Sequence, residues 1–356
     1  MTAERVRSLA ANAGFELAGI TAAGPVPEHT YFLKWVEQGM AGEMKYLTDH
    51  RAALRSDPRR LLPSARSIIC VGKVYNGPQP YSTSYSSNEL AWISRYAWGE
   101  DYHDVLRSGL MRLVEAMRRE SGCDFEWRIC VDTAPVLERA LARRAGLGWI
   151  GKNTCLINQK VGSWFFLGEL LVSLDLEPDA PPPDRCGTCT RCIDACPTKA
   201  IVPTETSEGP AWALDSRLCI SYLTIELRSA MPAELRDRVG NHVFGCDICQ
   251  EVCPWNRRAA ITSDPVFAPA TVAPPLARLA AISEEEFRGM FRRTPVWRAK
   301  YRGFLRNVAV AMGNSGDPAM LEPLRKLAAH NDELVAAHAR WAIRRIESRA
   351  AVQPLQ

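Results

Sequence analysis

The sequence predicts an α/β or α+β domain, then a short cysteine-rich module, then a helical C-terminal domain. Three observations predict it. Strand-like and helix-like segments alternate through the first half. Eight of the twelve cysteines fall between Cys186 and Cys253. From Tyr301 to Arg349, apolar residues recur at helical spacing. A chain of 356 residues is long for one domain. At 47% apolar and 24% charged residues, it can bury a core without disulfide staples.

In the first unit, expected over residues 1–176, Phe15–Thr21 reads as a strand and Pro27–Gln38 as a helix. Ser67–Tyr75 is a β-rich apolar run, expected as a buried strand. Asp101–Glu120 has helical apolar spacing, through Val105, Leu106, Leu110, Leu113 and Met117. Phe125–Val131 reads as a strand and Pro135–Arg144 as a helix, with Pro135 in its first turn. Strand-like runs Thr154–Asn158 and Ser163–Leu176 follow, separated by a turn at Gly162. Glu177–Arg185 (EPDAPPPDR) cannot continue a strand or helix and reads as a linker. It opens the second unit, residues 177–260. The third, residues 261–356, reads as helical, with a break at Gly313–Pro318 and two amphipathic helices divided near His330–Asn331. Helix pairs with Asp-Pro turns fit a HEAT-like repeat or a small helical bundle.

The N-terminal residues lack an apolar h-region, and no apolar run reaches 18 residues, so neither a secretory signal nor a membrane span is expected. The expected compartment is the cytoplasm, where clustered cysteines bind metal or do redox work. Net charge is only +4.

The run Cys186-x2-Cys189-x2-Cys192-x3-Cys196-Pro197 has the spacing of a bacterial ferredoxin. A second run ends Cys246-x2-Cys249-x3-Cys253-Pro254, with Cys219 upstream supplying its first cysteine. In two-cluster ferredoxins the fourth cysteine of each run ligates the other cluster. One [4Fe–4S] cluster is thus expected on Cys186, Cys189, Cys192 and Cys253, and a second on Cys219, Cys246, Cys249 and Cys196. The alternative, two structural zinc sites, favours separated C-x2-C pairs. Cys70, Cys123, Cys130 and Cys155 stand in apolar or strand-like contexts, and Cys155 adjoins a glycine-rich loop.

That loop, Gly146-Leu-Gly148-Trp-Ile-Gly151, fits G-x-G-x-x-G, but a helix precedes it and a strand follows, the reverse of a dinucleotide site. Asn153 stands where a Walker A loop needs Ser or Thr, which argues against ATP. Asp101-Tyr-His103 begins like Asp-x-His-x-x-Gly, but Leu106 replaces the glycine, so His103 reads as a core or surface histidine. A pure electron carrier needs only the cysteine module. The long segment before it implies a second redox centre or a substrate site.

Several runs together resemble the epoxyqueuosine reductase family: Ser94–Asp104 (SRYAWGEDYHD), Val131–Thr154 (VDTAPVLERALARRAGLGWIGKNT), Gly168–Leu170, Cys219–Glu226 (CISYLTIE) and Gly245–Asn256 (GCDICQEVCPWN). The resemblance spans nearly the whole chain. It implies base-off cobalamin in the first domain beside one cluster, a cofactor use shared with reductive dehalogenases. It further implies reduction of an epoxide on the tRNA wobble base to an alkene, a HEAT-like tail that helps hold tRNA, and an external flavodoxin- or ferredoxin-type donor. Asp132 matches the family's proton donor, although Asp before a helix is also a favoured N-cap. Burial beside a corrin is expected to raise its pKa. By resemblance Arg55, Arg95, Tyr96, Asp132, Gly151, Thr154, Leu156 and Asp247 are expected at the corrin. Tyr222, Thr224 and Glu226 follow Cys219 closely and are expected to line the route from substrate base to cluster.

Arg288–Arg306 holds seven Lys or Arg and no acidic residue, with Trp297 and Tyr301 interleaved. It suits phosphate contact and base stacking, with Arg292, Arg293 and Arg298 as candidates, and also reads as a solvated face. A monomer is expected, since tRNA needs a free face. The competing readings are a dehalogenase-like corrinoid reductase of a small molecule and a non-enzymatic electron carrier.

Overall fold

The computed structural model describes residues 1–84, 87–206, 209–269 and 272–352. The chain opens with α1 (Ala3–Asn12), β1 (Leu17–Ala22), α2 (Glu28–Glu37), α3 (Lys45–Thr48) and α4 (Arg51–Leu54). Next come β2 (Ser67–Val74), β3 (Trp92–Ile93), α5 (Tyr102–Ser121), β4 (Trp127–Cys130), α6 (Glu138–Arg144), β5 (Trp149–Ile150), β6 (Leu156–Ile157) and β7 (Phe165–Val172).

Every residue of β2 is buried: its SIICVGKV sequence is mostly apolar toward both faces, and the buried Lys73 pairs with Glu16 and Asp264. It therefore sits inside a four-stranded sheet of order β1-β2-β7-β4. All three pairings are antiparallel, so the domain is α+β. On one face Val6 and Leu9 of α1 and Leu106, Leu110 and Leu113 of α5 pack on Ile69, Val71 and Leu170. On the other, Ala140 and Leu141 of α6 pack on Ile68, Cys70 and Leu171. Each fully buried leucine contributes about 2 kcal/mol. The close seating of α6 needs Gly19 on β1, where a Cβ would lie 1.9 Å from the Ala145 carbonyl oxygen.

The cysteine module carries α7 (Arg191–Ala195), the hairpin β8 (Ile201–Thr206) and β9 (Gly209–Leu214), α8 (Ile220–Ile225), α9 (Ala233–Arg236), β10 (His242–Phe244) and α10 (Ile248–Glu251). The hairpin occupies the insertion between Cys196 and Cys219. β10 pairs in parallel with β3, a contact between distant parts of the chain.

The last part holds α11 (Leu276–Ala280), α12 (Glu284–Phe291), α13 (Lys300–Ser315), α14 (Leu321–Ala328) and α15 (Glu333–Val352). Ser283 and Glu286 form a reciprocal capping box that starts α12. One core joins these helices to Trp92, Ile93 and Trp98 from the first part and to Val243 and Phe244 from the module. No helix among the described residues is long and apolar enough to cross a membrane.

Two local expectations change. The helix expected from Pro135 begins at Glu138, because residues 132–137 form an irregular turn. Trp297 stacks on Phe287 at 5.6 Å, and the Tyr301 hydroxyl donates to the Ile282 carbonyl at 2.9 Å. These aromatics pack the helical core and are not offered to bases.

Candidate active site

Asp132 follows β4 in a left-handed backbone conformation, φ 44°. This costs an L-residue roughly 1–2 kcal/mol, though Asp tolerates it better than most. It is not an N-cap. Its carboxylate instead accepts hydrogen bonds from His103 Nε2 and from Arg298 Nη1, each at 3.2 Å. The other ring nitrogen of His103 bonds Asp101 at 2.7 Å. Burial opposes a charge on His103, but hydrogen bonds to Asp101 and Asp132 outweigh it and raise its pKa to about 9. Burial likewise pushes the Asp132 carboxyl up, yet His103 and Arg298 win and hold it below the ordinary carboxylate range. The expected upward shift is therefore reversed, and the reason is the two cations that flank it.

Arg298 bridges inward rather than outward. Its Nε lies 2.6 Å from Glu226 and its guanidinium sits over the Tyr46 ring at 5.5 Å. Burial and the Glu226 charge push Tyr46 up to about 12. Tyr96 lies within the same field, facing Arg298, Asp132, Glu226 and Asp247. Asp247 is buried, accepts the Arg95 backbone N–H at 2.6 Å and takes a hydrogen bond from the Ser94 hydroxyl. Burial raises its pKa to about 6. The β3–β10 pairing creates this contact by setting Ser94 and Arg95 beside the Asp247 turn.

The loop Gly151–Leu156 touches both arms of the cysteine module. Lys152 Nζ donates to the carbonyls of Gly187 and Cys189, at 2.6 and 3.1 Å. Asn153 Nδ2 donates to the Cys249 carbonyl at 3.2 Å, and the Cys155 and Cys249 thiols are hydrogen-bonded. Thr154 is a second left-handed residue, φ 62°. At Gly151 a Cβ would meet Ile157 at 2.5 Å, while Leu156 is buried in the core under α6.

The module's thiols have charge neighbours that divide into two sets, although among the described residues no three His, Cys, Asp or Glu side chains stand close enough to hold one metal ion. Burial and then Cys253, Cys186 and Cys189 raise Cys192 to about 11. Burial raises Cys246, with Cys219 and Cys196 as its thiol neighbours. Cys249 is raised by its bond to Cys155, by burial, and by Cys246 and Cys219.

The remaining candidates divide. Arg55 is buried beside the Phe32 ring, and its Nη1 has no hydrogen-bond partner among the described residues. The Arg95 guanidinium donates to the carbonyls of Gly77, Gln79 and Pro80 and lies over Trp98 at 4.6 Å, a structural role. Tyr222 is buried and its hydroxyl accepts the Glu43 N–H at 2.8 Å. Arg292 and Arg293 are exposed, and Arg293 approaches Glu100 at 3.6 Å. They do not share a face with the inward-turned Arg298.

Tyr46 and Glu138, which accepts the Asp132 N–H, are site residues that sequence reasoning passed over, and His103, expected as a core or surface histidine, is a third member of the site. The Asp-x-His spacing at Asp101 was the one available signal for His103. The structure shows what that spacing does here: it sets the Asp101 carboxylate against the His103 ring.

A family model described as "Epoxyqueuosine reductase QueG, DUF1730" matches residues 55–133, and one described as "4Fe-4S double cluster binding domain" matches residues 185–256. The chain is 42% identical over 348 residues to an epoxyqueuosine reductase of Xanthomonas campestris, covering 96% of this chain and 95% of that one. It superposes on an epoxyqueuosine reductase crystallised with an epoxyqueuosine-modified tRNA-Tyr stem loop, with TM-score 0.85, 30% identity, and 99% and 94% of the two chains covered. A Bacillus subtilis epoxyqueuosine reductase whose aspartate catalytic loop is swung out of the active site matches with TM-score 0.84 at 30% identity, over 96% and 90% of the chains. With relatives this similar over nearly their full length, the chain belongs to the epoxyqueuosine reductase family.

Proposed function

We propose that this protein is an oxidoreductase that reduces the epoxide of epoxyqueuosine at the tRNA wobble position to the alkene of queuosine. The reading rests most on one observation: the Asp132 carboxylate, on a left-handed loop residue, is held between His103 and Arg298. The overall change takes two electrons and two protons and releases water. Asp132 is ionised at rest, so the proton for the oxygen leaving carbon comes from His103, protonated at neutral pH, and passes through the Asp132 carboxylate, which takes it from Nε2 as it hands it on. Arg298 and Glu226 keep the Asp132 side chain aimed.

Cys186, Cys189, Cys192 and Cys253 would hold one [4Fe–4S] cluster, and Cys219, Cys246, Cys249 and Cys196 the other. The ferredoxin spacing and the match of residues 185–256 to a double-cluster domain support this. A base-off cobalamin fits the first domain on one structural ground, the orphaned buried Nη1 of Arg55, a donor suited to a polar corrin edge. Tyr96, Asp132, Asp247 and the loop Gly151–Leu156 would complete its surroundings, while the Arg95 side chain is already committed. Bound together, cobalamin and the clusters supply low-potential electrons that no side chain can supply.

The reading further assigns residues 1–176 to cobalamin, 177–260 to the clusters and 261–356 to a HEAT-like helical domain, in a cytoplasmic monomer served by a flavodoxin- or ferredoxin-type donor. Exposed Arg292 and Arg293 would meet tRNA phosphates. The test is anaerobic reconstitution followed by turnover of an epoxyqueuosine-bearing stem loop, read by nucleoside mass. Queuosine formation with about eight irons and one cobalt per chain is expected. Loaded protein that leaves the epoxide intact would refute the assignment.

A further inference from the structure

Helix α6 holds both strained residues of the site with the side chains of its first two positions. Arg139 donates to the Thr154 carbonyl. Glu138 accepts the Asp132 backbone N–H on Oε1 at 2.6 Å. Among the described residues only four non-glycines have positive φ, and these are two of them.

Beneath α6 lies Glu169 of β7, in register with Cys70 on β2 and Cys130 on β4. It has no exposed surface, and neither carboxyl oxygen has a hydrogen-bond partner among the described residues. The groups that bear on Glu138 are Asp132, Arg139, His103 of α5, Glu169, Cys70, Cys130, Tyr102 and Arg55. Burial, then the Asp132 charge, pushes Glu138 up to about 8. At neutral pH it is an uncharged acid whose oxygen can accept the N–H, and glutamine reproduces that form.

We propose that Glu138 is a positioning residue, a latch whose carboxyl oxygen holds the Asp132 N–H and keeps the Asp132 side chain between His103 and Arg298. This rests on the reading of Asp132 as the group that passes the proton to the substrate. Apart from the Asp132 side chain's own bonds to His103 and Arg298 and the Thr133 hydroxyl on the Val131 carbonyl at 3.4 Å, the loop has few other bonds. Its own backbone bonds are Ala134 N–H to Val131 at 3.4 Å and Val136 N–H to Ala134 at 2.8 Å, and neither uses the Asp132 amide.

The test compares Glu138→Met, which keeps volume but lacks the acceptor, with Glu138→Gln, which keeps both. Each full-length variant is reconstituted and followed by amide hydrogen exchange and by kcat and KM on the stem loop. Exchange across residues 131–137 should rise in Glu138→Met by roughly three- to tenfold, the reach of one hydrogen bond. Its kcat should fall on the order of 10- to 100-fold with KM little changed, as for a misplaced acid. Iron and cobalt per chain should match wild type, and Glu138→Gln should restore exchange and kcat. Unchanged exchange in Glu138→Met, or a glutamine variant as defective as the methionine one, overturns the latch. Exchange does not depend on turnover. A failure of the latch is thus separable from a failure of the acid assignment, which would show as Asp132→Asn that still turns over.

Discussion

His103 carries a carboxylate on each ring nitrogen, Asp101 on one side and Asp132 on the other. That pairing decides its charge. Its folded pKa of about 9 lies above the ordinary histidine value, so the pair contributes stability in full below about pH 6.5. The contribution is lost as pH rises through about 9. Asp132 works in the opposite sense: its depressed pKa contributes stability above the ordinary carboxylate value, lost as pH falls. The ion pair is therefore intact from weakly acidic to neutral pH. A nuclear magnetic resonance titration of the His103 ring should give a value near 9 in wild type. In Asp132→Asn it should drop by about one unit or more and stay above the free value, because Asp101 remains. A wild-type value near 6.5 would remove His103 from the proton path. No periodicity could have revealed this pair, since the two residues are 29 positions apart and meet only through the packing of α5 against the sheet.

At the scale of elements, α13 ties the helical part to the cysteine module. Arg306, almost wholly buried, donates to the carbonyls of Leu223, Leu227 and Ser229 at 2.6 to 2.8 Å. Asn307 donates to Thr224 and Val243. Leu223 and Thr224 lie in α8, which starts next to Cys219, Leu227 and Ser229 follow it, and Val243 is on β10. Replacing Arg306 with alanine removes the side chain that bonds the Leu223, Leu227 and Ser229 carbonyls, a loss of about 3 kcal/mol or more. Urea unfolding should show it, together with poorer iron retention; a change under about 1 kcal/mol would mean that the seam is not structural. Regular elements of this kind were readable from sequence. β2, β7 and α5 each show a long periodic or fully apolar pattern, and each forms within two or three residues of its expected place, apart from the C-terminal part of the Ser163–Leu176 run. The two-residue pairing of β3 with β10 was not readable, because strands that short carry no pattern. Nor was the late start of α6. Pro135 suits a first turn, but the latch between Asp132 and Glu138 takes the residues before the helix into a separate turn.

For the whole molecule, the shared core around Trp92, Phe244 and Val308 places the helical part directly behind the site. The basic stretch thereby divides its labour. Arg298 turns inward to Asp132, while Arg292 and Arg293 stay on the surface. Changing the two exposed arginines to alanine should weaken stem-loop binding and lower the salt slope by roughly 1 to 2, with kcat preserved. Arg298→Ala should instead lower kcat. Equal salt slopes in the double variant and wild type would leave the exposed pair without a tRNA role. The eight-cysteine spacing announced the module directly, because a cubane needs thiolates at short, fixed intervals. The aim of each arginine was invisible, since composition records charge and not direction.

Single-turnover conversion of an epoxyqueuosine stem loop by fully loaded Asp132→Asn, beside equally loaded wild type, tests the central claim most directly. The account expects iron and cobalt contents to match while queuosine formation falls on the order of 10²- to 10⁴-fold. Asparagine keeps the shape and loses the carboxylate that passes the His103 proton on. Conversion by the variant at the wild-type rate would contradict it.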